Sequence, residues 1–327
     1  MTKWKTGWLG LIMVLILTIS ACNLGSFQSP EEIETDGAGV ENTISNEENS
    51  TDQAETVDQE KNEGDGEPAV TASPEDQGMV PPPTSSDACA NVLYPLIPGY
   101  QWVYSYTSEG ETSQIGISVT EAEGDTATLT ALYLDSGVTS EAEVVCEDGA
   151  LVNLPNIFLG FLFGDVSGNV TVDHVDGVFI PSYQTFEEVA WKHQWVGNYT
   201  ASGQIKAEVD GDQVTGTLEQ SPIKLSWNTL SSGEDQFSFD PVSVSAGDYS
   251  EAIMLSRHSE IDLSVVLDDS VSSMKLSGTL ILDSSLWFQP NQGLVKQQID
   301  RASLQVGGIK APIVLDGTLE LVEFRRE

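Results

Sequence analysis

Across most of residues 102–282, apolar and polar side chains alternate with a period of two. Trp102, Tyr104 and Tyr106 alternate with Val103 and Ser105, and Ile115, Ile117 and Val119 with Gly116, Ser118 and Thr120. The pattern continues through Ile205, Ala207 and Val209, through Ile261, Leu263, Val265 and Leu267, and through Met274, Leu276, Gly278, Leu280 and Leu282. In Thr126–Leu134 it puts Leu132 and Leu134 on one face. Successive side chains of a strand point to opposite sides, so this period predicts antiparallel strands with one buried and one wet face. Turn formers punctuate the runs, among them Gly124-Asp125, Asp148-Gly149, Asp210-Gly211-Asp212 and Gly307-Gly308. No long helical period interrupts them. The expectation is an all-β domain of about twelve strands: a large curved antiparallel sheet, barrel or half-barrel, with one or two short helices.

Two segments depart from the alternation. Leu154–Gly164 is continuously apolar and contains Phe158 and Phe161. It reads either as a plug filling the core or as a lid, or membrane-touching loop, beside an apolar cavity. Tyr183–Trp195 is a helix candidate in which Phe186, Val189 and Ala190 share one face.

The alternation belongs to residues 88–327 alone. Residues 1–21 have the parts of an export signal: Lys3 and Lys5, then a 12-residue apolar run from Trp8 to Ile19, then Ser20-Ala21-Cys22. The run is short for a membrane span, which needs about 20 residues, and suits a signal peptide. Small residues ahead of a cysteine resemble a bacterial lipobox, in which the cysteine carries lipid. Cys22 is therefore the expected lipidation site and the membrane anchor, on the extracytoplasmic face of the cell membrane. An ordinary signal peptide with a chance cysteine, or an uncleaved anchor, is the alternative. With Cys22 lipidated, Cys89 and Cys146 remain for one disulfide, or stay as two buried thiols.

Residues 22–87 form a different kind of polymer. After Cys22 they hold 17 acidic residues against Lys61, with Phe27 the one aromatic, and end in Pro81-Pro82-Pro83. Such a stretch buries too little apolar area to offset chain entropy and is expected to be a disordered spacer. The formal charge of −38 divides into +2 on the signal, −16 on the spacer and −24 on the β domain. A chain this acidic lacks the Lys and Arg that neutralise phosphates, which excludes nucleic acid as a partner.

No catalytic motif is present. His174, His193 and His258 are the only histidines, no two within ten residues, so HExxH and HxH zinc patterns are absent. There is no GxSxG elbow, P-loop or GxGxxG. A Ser-His-Asp set assembled from distant positions stays open, because such sites depend on geometry and not on order. Asp173-His174-Val175-Asp176-Gly177 and Asp210-Gly211-Asp212 lack EF-hand spacing and read as ordinary turns. No enzyme activity, cofactor or metal is expected.

Three places carry a resemblance. Tyr94–Tyr104 (YPLIPGYQWVY) resembles the opening "P-L-x-x-G-x-x-W-x-Y" of a family of secreted bacterial β-lipoproteins of uncharacterised activity. Val242–Tyr249 (VSVSAGDY) is similar to their middle "V-x-V-x-A-G-x-[FY]", and Trp287–Lys296 (WFQPNQGLVK) to their late "W-[FY]-x-x-x-x-G-[LI]-V-K". Such proteins are similar in outline to the lipoprotein-carrier (LolA/LolB-like) group, whose curved sheet wraps an apolar cavity. The resemblance implies a fold class and lipid or ligand binding, and supplies no catalytic residue. By their chemistry the motif residues read first as structure, with Trp102 and Trp287 as core anchors.

The leading expectation is a tethered module that binds an apolar or lipid-like ligand. Trp102, Tyr104, Phe158, Phe161 and Trp287 are the candidate contacts. An envelope structural or protein-interaction module without a small ligand is the second reading, and an enzyme the last.

Overall fold

The computed structural model describes residues 80–108, 110–155, 167–209, 212–229, 238–268, 273–313 and 317–326. Cys22, the expected export signal of residues 1–21, the expected spacer up to residue 79, and Phe158 and Phe161 lie outside the described residues.

The first half of the domain is a meander of β1 (Tyr100–Ser108), β2 (Glu111–Glu123), β3 (Thr126–Tyr133), β4 (Val138–Glu147) and the short β5 (Ala150–Leu151). Then come β6 (Ser167–Gly177), a one-turn-and-a-half helix α1 (Tyr183–Glu188), β7 (Gln194–Val209) and β8 (Asp212–Asn228). A small hairpin follows, β9 (Val242–Val244) with β10 (Gly247–Tyr249). The chain ends with β11 (Ile253–Asp268), β12 (Ser273–Gln289), β13 (Gly293–Val306), β14 (Ile309–Ile313) and β15 (Thr318–Arg326). All but the small hairpin belong to one 13-stranded sheet in the order β5-β4-β3-β2-β1-β15-β13-β12-β11-β8-β7-β6, with β14 beside β13. The expected all-β architecture is therefore what the chain forms, antiparallel at every pairing described.

The last strand makes one sheet out of two meanders. β15 pairs with β1 on one side and with β13 on the other. The sheet is also bent. β5 and β6 sit at opposite ends of the strand order, yet Leu151 forms a β-bridge with Ile180, which follows β6. The Leu151 amide donates to the Ile180 carbonyl at 2.8 Å, and the Phe179 amide to the Leu151 carbonyl at 2.8 Å. A path of twelve strands whose two ends touch has curled around. β5 and β6 themselves share no pairing among the described residues, so the sheet stays open.

The curl encloses the apolar parity of the strands. Trp102, Ile117, Leu129, Val144, Ile223, Leu225, Leu255, Leu280, Leu282, Leu304 and Leu321 are all buried. Each such side chain contributes on the order of 1.5–3 kcal/mol when removed from water. Leu132 and Leu134 do share one face, and that face is the outer one. In β3 the buried positions are Ala127, Leu129 and Ala131, whereas Leu132 and Leu134 are 39% and 45% exposed. The register explains it: Leu129 pairs with inward Val119 and Ala142, and Ala131 with inward Ile117. Where both parities carry apolar residues, only the neighbouring strands decide which faces the core.

The helix is shorter than the expected Tyr183–Trp195. α1 ends at Glu188, because Ala190 and Trp191 adopt positive φ (50° and 61°). Of the three expected face residues only Phe186 is buried; Val189 and Ala190 are exposed. Ser182 caps the helix, its hydroxyl accepting from the Thr185 amide at 3.3 Å.

Two devices tie the N-terminal segment of the described chain, residues 80–99, to the sheet. Cys89 and Cys146 form a disulfide with Cα atoms 5.2 Å apart, joining that segment to the end of β4. Beside it, the Asn91 side chain is fully buried and makes four hydrogen bonds. It donates to the carbonyls of Gly149 (2.8 Å) and Pro181 (2.7 Å) and accepts from the amides of Leu93 (2.9 Å) and Tyr94 (3.2 Å). One amide thus links the N-terminal segment, the β4–β5 turn and the chain after β6.

Candidate functional site

The three motif segments meet at the turn between β12 and β13. The Trp102 indole donates to the Gln292 backbone carbonyl at 2.6 Å, and Gln292 Nε2 donates to the Tyr249 hydroxyl at 2.9 Å. The Tyr104 hydroxyl donates to the Leu294 carbonyl at 3.0 Å. Gly293 lies between these carbonyls at φ 114°, and a Cβ there would meet the Trp102 indole nitrogen at 3.1 Å. Glycine is the residue that allows both the backbone angle and the approach of the ring. Trp102 and Tyr104 are fully buried, and Trp102 stacks on Tyr94 with ring centroids 5.8 Å apart. Burial pushes the Tyr104 hydroxyl well above the usual phenol range, so it stays a neutral donor. Trp287 takes the other face of the sheet: it is half-buried, donates to Asp240 Oδ2 at 2.8 Å, and has Lys296 Nζ 6.0 Å from its ring centre.

Next to this junction the inner face holds a partly open cavity of about 20 Å³. Most of its lining is apolar, from Leu154, Phe179, Ile180, Leu225, Leu286, Phe288 and Leu294; the polar contributions come from Tyr94, Trp227, Arg257 and Gln297. An enclosed space of roughly 10–15 Å³ admits one water, so this one takes a single group of about that size. Trp102, Tyr104 and Trp287 do not line it; Tyr104 touches it indirectly, through its hydrogen bond to the Leu294 backbone.

Arg257 is the unusual member. It stands on the buried parity of β11 with Ile253, Leu255, Ser259 and Ile261, and it is the only charged side chain buried among the described residues. The register places it opposite Trp227 of β8 on one side and Ser284 of β12 on the other. Its guanidinium lies 5.2 Å from the centre of the Trp227 ring, a cation–π contact. Arg257 Nε and Nη2, Trp227 Nε1, Ser259 Oγ and Ser284 Oγ are all buried without a hydrogen-bond partner among the described residues. Burial pushes the guanidinium down to about 10, which still leaves it charged at neutral pH.

Behind Trp227 an aromatic ladder fixes the site. Trp227 stacks on Trp195 (5.5 Å, 8°), Trp195 meets Phe186 of α1 edge-on (5.6 Å), and Phe186 stacks on Trp191 (4.6 Å, 2°). The short helix thus holds the wall of the cavity. Arg257 does not stand out as a motif in the sequence. Its signal is one of parity: the alternation that puts Ile261 inward, extended back through Ser259, puts Arg257 inward too.

The histidines keep separate company. His258 Nδ1 lies 2.6 Å from Asp283 Oδ1 and its Nε2 3.4 Å from Glu260 Oε1, with His258 and both carboxylates about two-fifths exposed. His174 Nε2 lies 2.9 Å from the Gly177 carbonyl, and the His193 ring stacks on Trp195 at 5.8 Å. Among the described residues no three His, Cys, Asp or Glu side chains gather as a metal site.

The fold and this site define an open, curled antiparallel β-sheet protein, secured by one disulfide, with a small apolar cavity and a buried arginine on its inner face. No protein-family model matches the chain, and no curated protein does. Among solved structures it is similar to a candidate lipoprotein from Parabacteroides distasonis, at 14% identity and a TM-score of 0.37, over 72% of this chain and 99% of that one. It is also similar to a candidate exported protein with a YmcC-like fold from Bacteroides fragilis, at 10% identity and a TM-score of 0.35, over 72% of this chain and 100% of that one.

Proposed function

We propose that this chain is an envelope lipoprotein, anchored by lipid on Cys22, whose β domain holds a ligand with an apolar part on its inner face. The cavity carries the binding reading: it is partly open and its lining is mostly apolar. The enclosed volume takes one small group, so the remainder of the ligand lies along the mouth. The Cys89–Cys146 disulfide supports an extracytoplasmic setting, since such bonds persist in oxidising compartments. The lipoprotein-carrier resemblance agrees with a curled, open sheet. Two measurements test the proposal. Cys22→Ser is expected to move the protein from the membrane to the soluble fraction, and mass spectrometry of the gently purified protein is expected to find a co-purifying lipid-like molecule. A protein that stays membrane-bound as Cys22→Ser, or that carries and takes up no apolar ligand, would overturn the corresponding half.

A second reading, a protein-interaction module without a small ligand, has its own observation. Leu132, Leu134 and Val138 are 39%, 45% and 57% exposed and lie together at the β3–β4 turn. Photo-crosslinking from position 138 in whole cells checks it; a clean absence of adducts would remove it.

A further inference from the structure

We propose that Trp227, Arg257 and Ser284 form a carboxylate-binding site on the inner face of the sheet. The inference deepens the ligand reading above, on which it rests, by assigning the chemical class of the ligand's head.

The three residues stand side by side across adjacent strands. Trp227 is opposite Arg257 in the β8–β11 register, and Arg257 is opposite Ser284 in the β11–β12 register. Ser259 lies two residues along β11 on the same face. Five buried polar atoms of this group lack a partner among the described residues, and three of them, on Arg257 and Trp227, are obligate donors. A charged group out of water is costly unless it is paired and hydrogen-bonded. No buried Asp or Glu is present among the described residues to pair with Arg257.

The donors select what fits. A cation is repelled. A neutral water accepts at most two hydrogen bonds and leaves the charge uncompensated. A carboxylate brings one negative charge and two acceptor oxygens, which match the guanidinium fork. A phosphate brings more charge and more oxygens than one arginine and a cavity of about 20 Å³ satisfy. The net charge of −24 on the domain does not prevent this, because its long-range field is screened beyond about 8 Å at physiological salt. Leu225, Leu286 and Phe288 on the same lining favour a carboxylate that ends an alkyl chain over a free one.

The test uses the full chain in a non-ionic detergent. Binding of octanoate, acetate and octanol is measured by NMR of ¹³C label at the carboxyl carbon of the acids and the carbinol carbon of the alcohol. Octanoate is expected to bind, acetate and octanol to bind more weakly, and Arg257→Met to weaken octanoate roughly tenfold to a hundredfold while leaving octanol unchanged. Arg257→Lys keeps the charge without the fork and is expected to fall between, and Ser284→Ala, which removes one hydroxyl, is expected to weaken octanoate roughly fivefold. If acetate binds as well as octanoate, the carboxylate site stands and the apolar-ligand reading fails. If octanol equals octanoate, or Arg257→Met binds octanoate like the natural chain while remaining folded, the carboxylate site is overturned and the apolar reading survives. If none of the three binds, both fall.

Discussion

The guanidinium of Arg257 lies 5.2 Å from the centre of the Trp227 ring, and both side chains are buried on the inner face of one sheet. A cation–π contact of this kind contributes about 2 kcal/mol when desolvated, less than burying the charge costs. Burial lowers the guanidinium to about 10, which corresponds to about 3 kcal/mol of destabilisation of the charged form. The sign is that of a base lowered by folding: the whole cost is present below pH 10 and is relieved only as pH rises towards the ordinary guanidinium range. In the ligand-free protein, Arg257→Met should therefore raise Tm, by roughly 5–10 °C for a domain of this size. Calorimetry in the absence of carboxylates checks it. An unchanged or lowered Tm would mean that the guanidinium is satisfied within the chain.

The disulfide closes a loop across a sequence separation of 57. In the chain-entropy account such a bridge stabilises the fold by about 4 kcal/mol. Urea unfolding with and without reductant is expected to show a loss of that order, and Cys89→Ala with Cys146→Ala should match the reduced protein. A loss below about 1 kcal/mol would show that Asn91, with its four hydrogen bonds, holds the segment by itself.

His193 stands against Trp195 and Phe186, and burial pushes its imidazole below the usual range. The unfolded chain takes up this proton first, so stability is expected to fall modestly as pH drops through about 6.5. His193→Gln should flatten that part of the profile. Thermal melts from pH 8 to 5 are the measurement, and an identical slope in the variant would rule out His193 as its source.

Gly177 closes β6 at φ 76°, and a Cβ there would fall inside the carbonyl oxygen of Val196 on β7. Gly177→Ala combines the left-handed backbone with a clash and should cost about 2–5 kcal/mol. Gly124 has a comparable φ of 65° but open space around it, so Gly124→Ala should cost about 1–2 kcal/mol. Paired urea titrations of the two variants compare them; equal losses would mean that the Val196 contact relaxes at no cost.

The period-two pattern by itself determined that the chain folds as antiparallel strands, because side-chain direction alternates along any strand whatever it pairs with. Spare cysteines likewise left one disulfide as the leading choice, and Cys89–Cys146 forms it. The tertiary structure alone decided which parity faces inward where both are apolar. Leu132 in β3 and Leu134 just beyond it share a parity, but Val119 and Ala142 pull Leu129 to the core instead. It also decided what stands side by side. Trp227, Arg257 and Ser284 come from three strands, brought level by register, and no spacing along the chain encodes that row. The curl of the sheet had the same origin: it follows from β15 joining the two meanders and from Leu151 meeting Ile180, contacts between residues far apart in sequence. Local chemistry sets what a strand is, and long-range pairing sets which strands, and so which side chains, share a site.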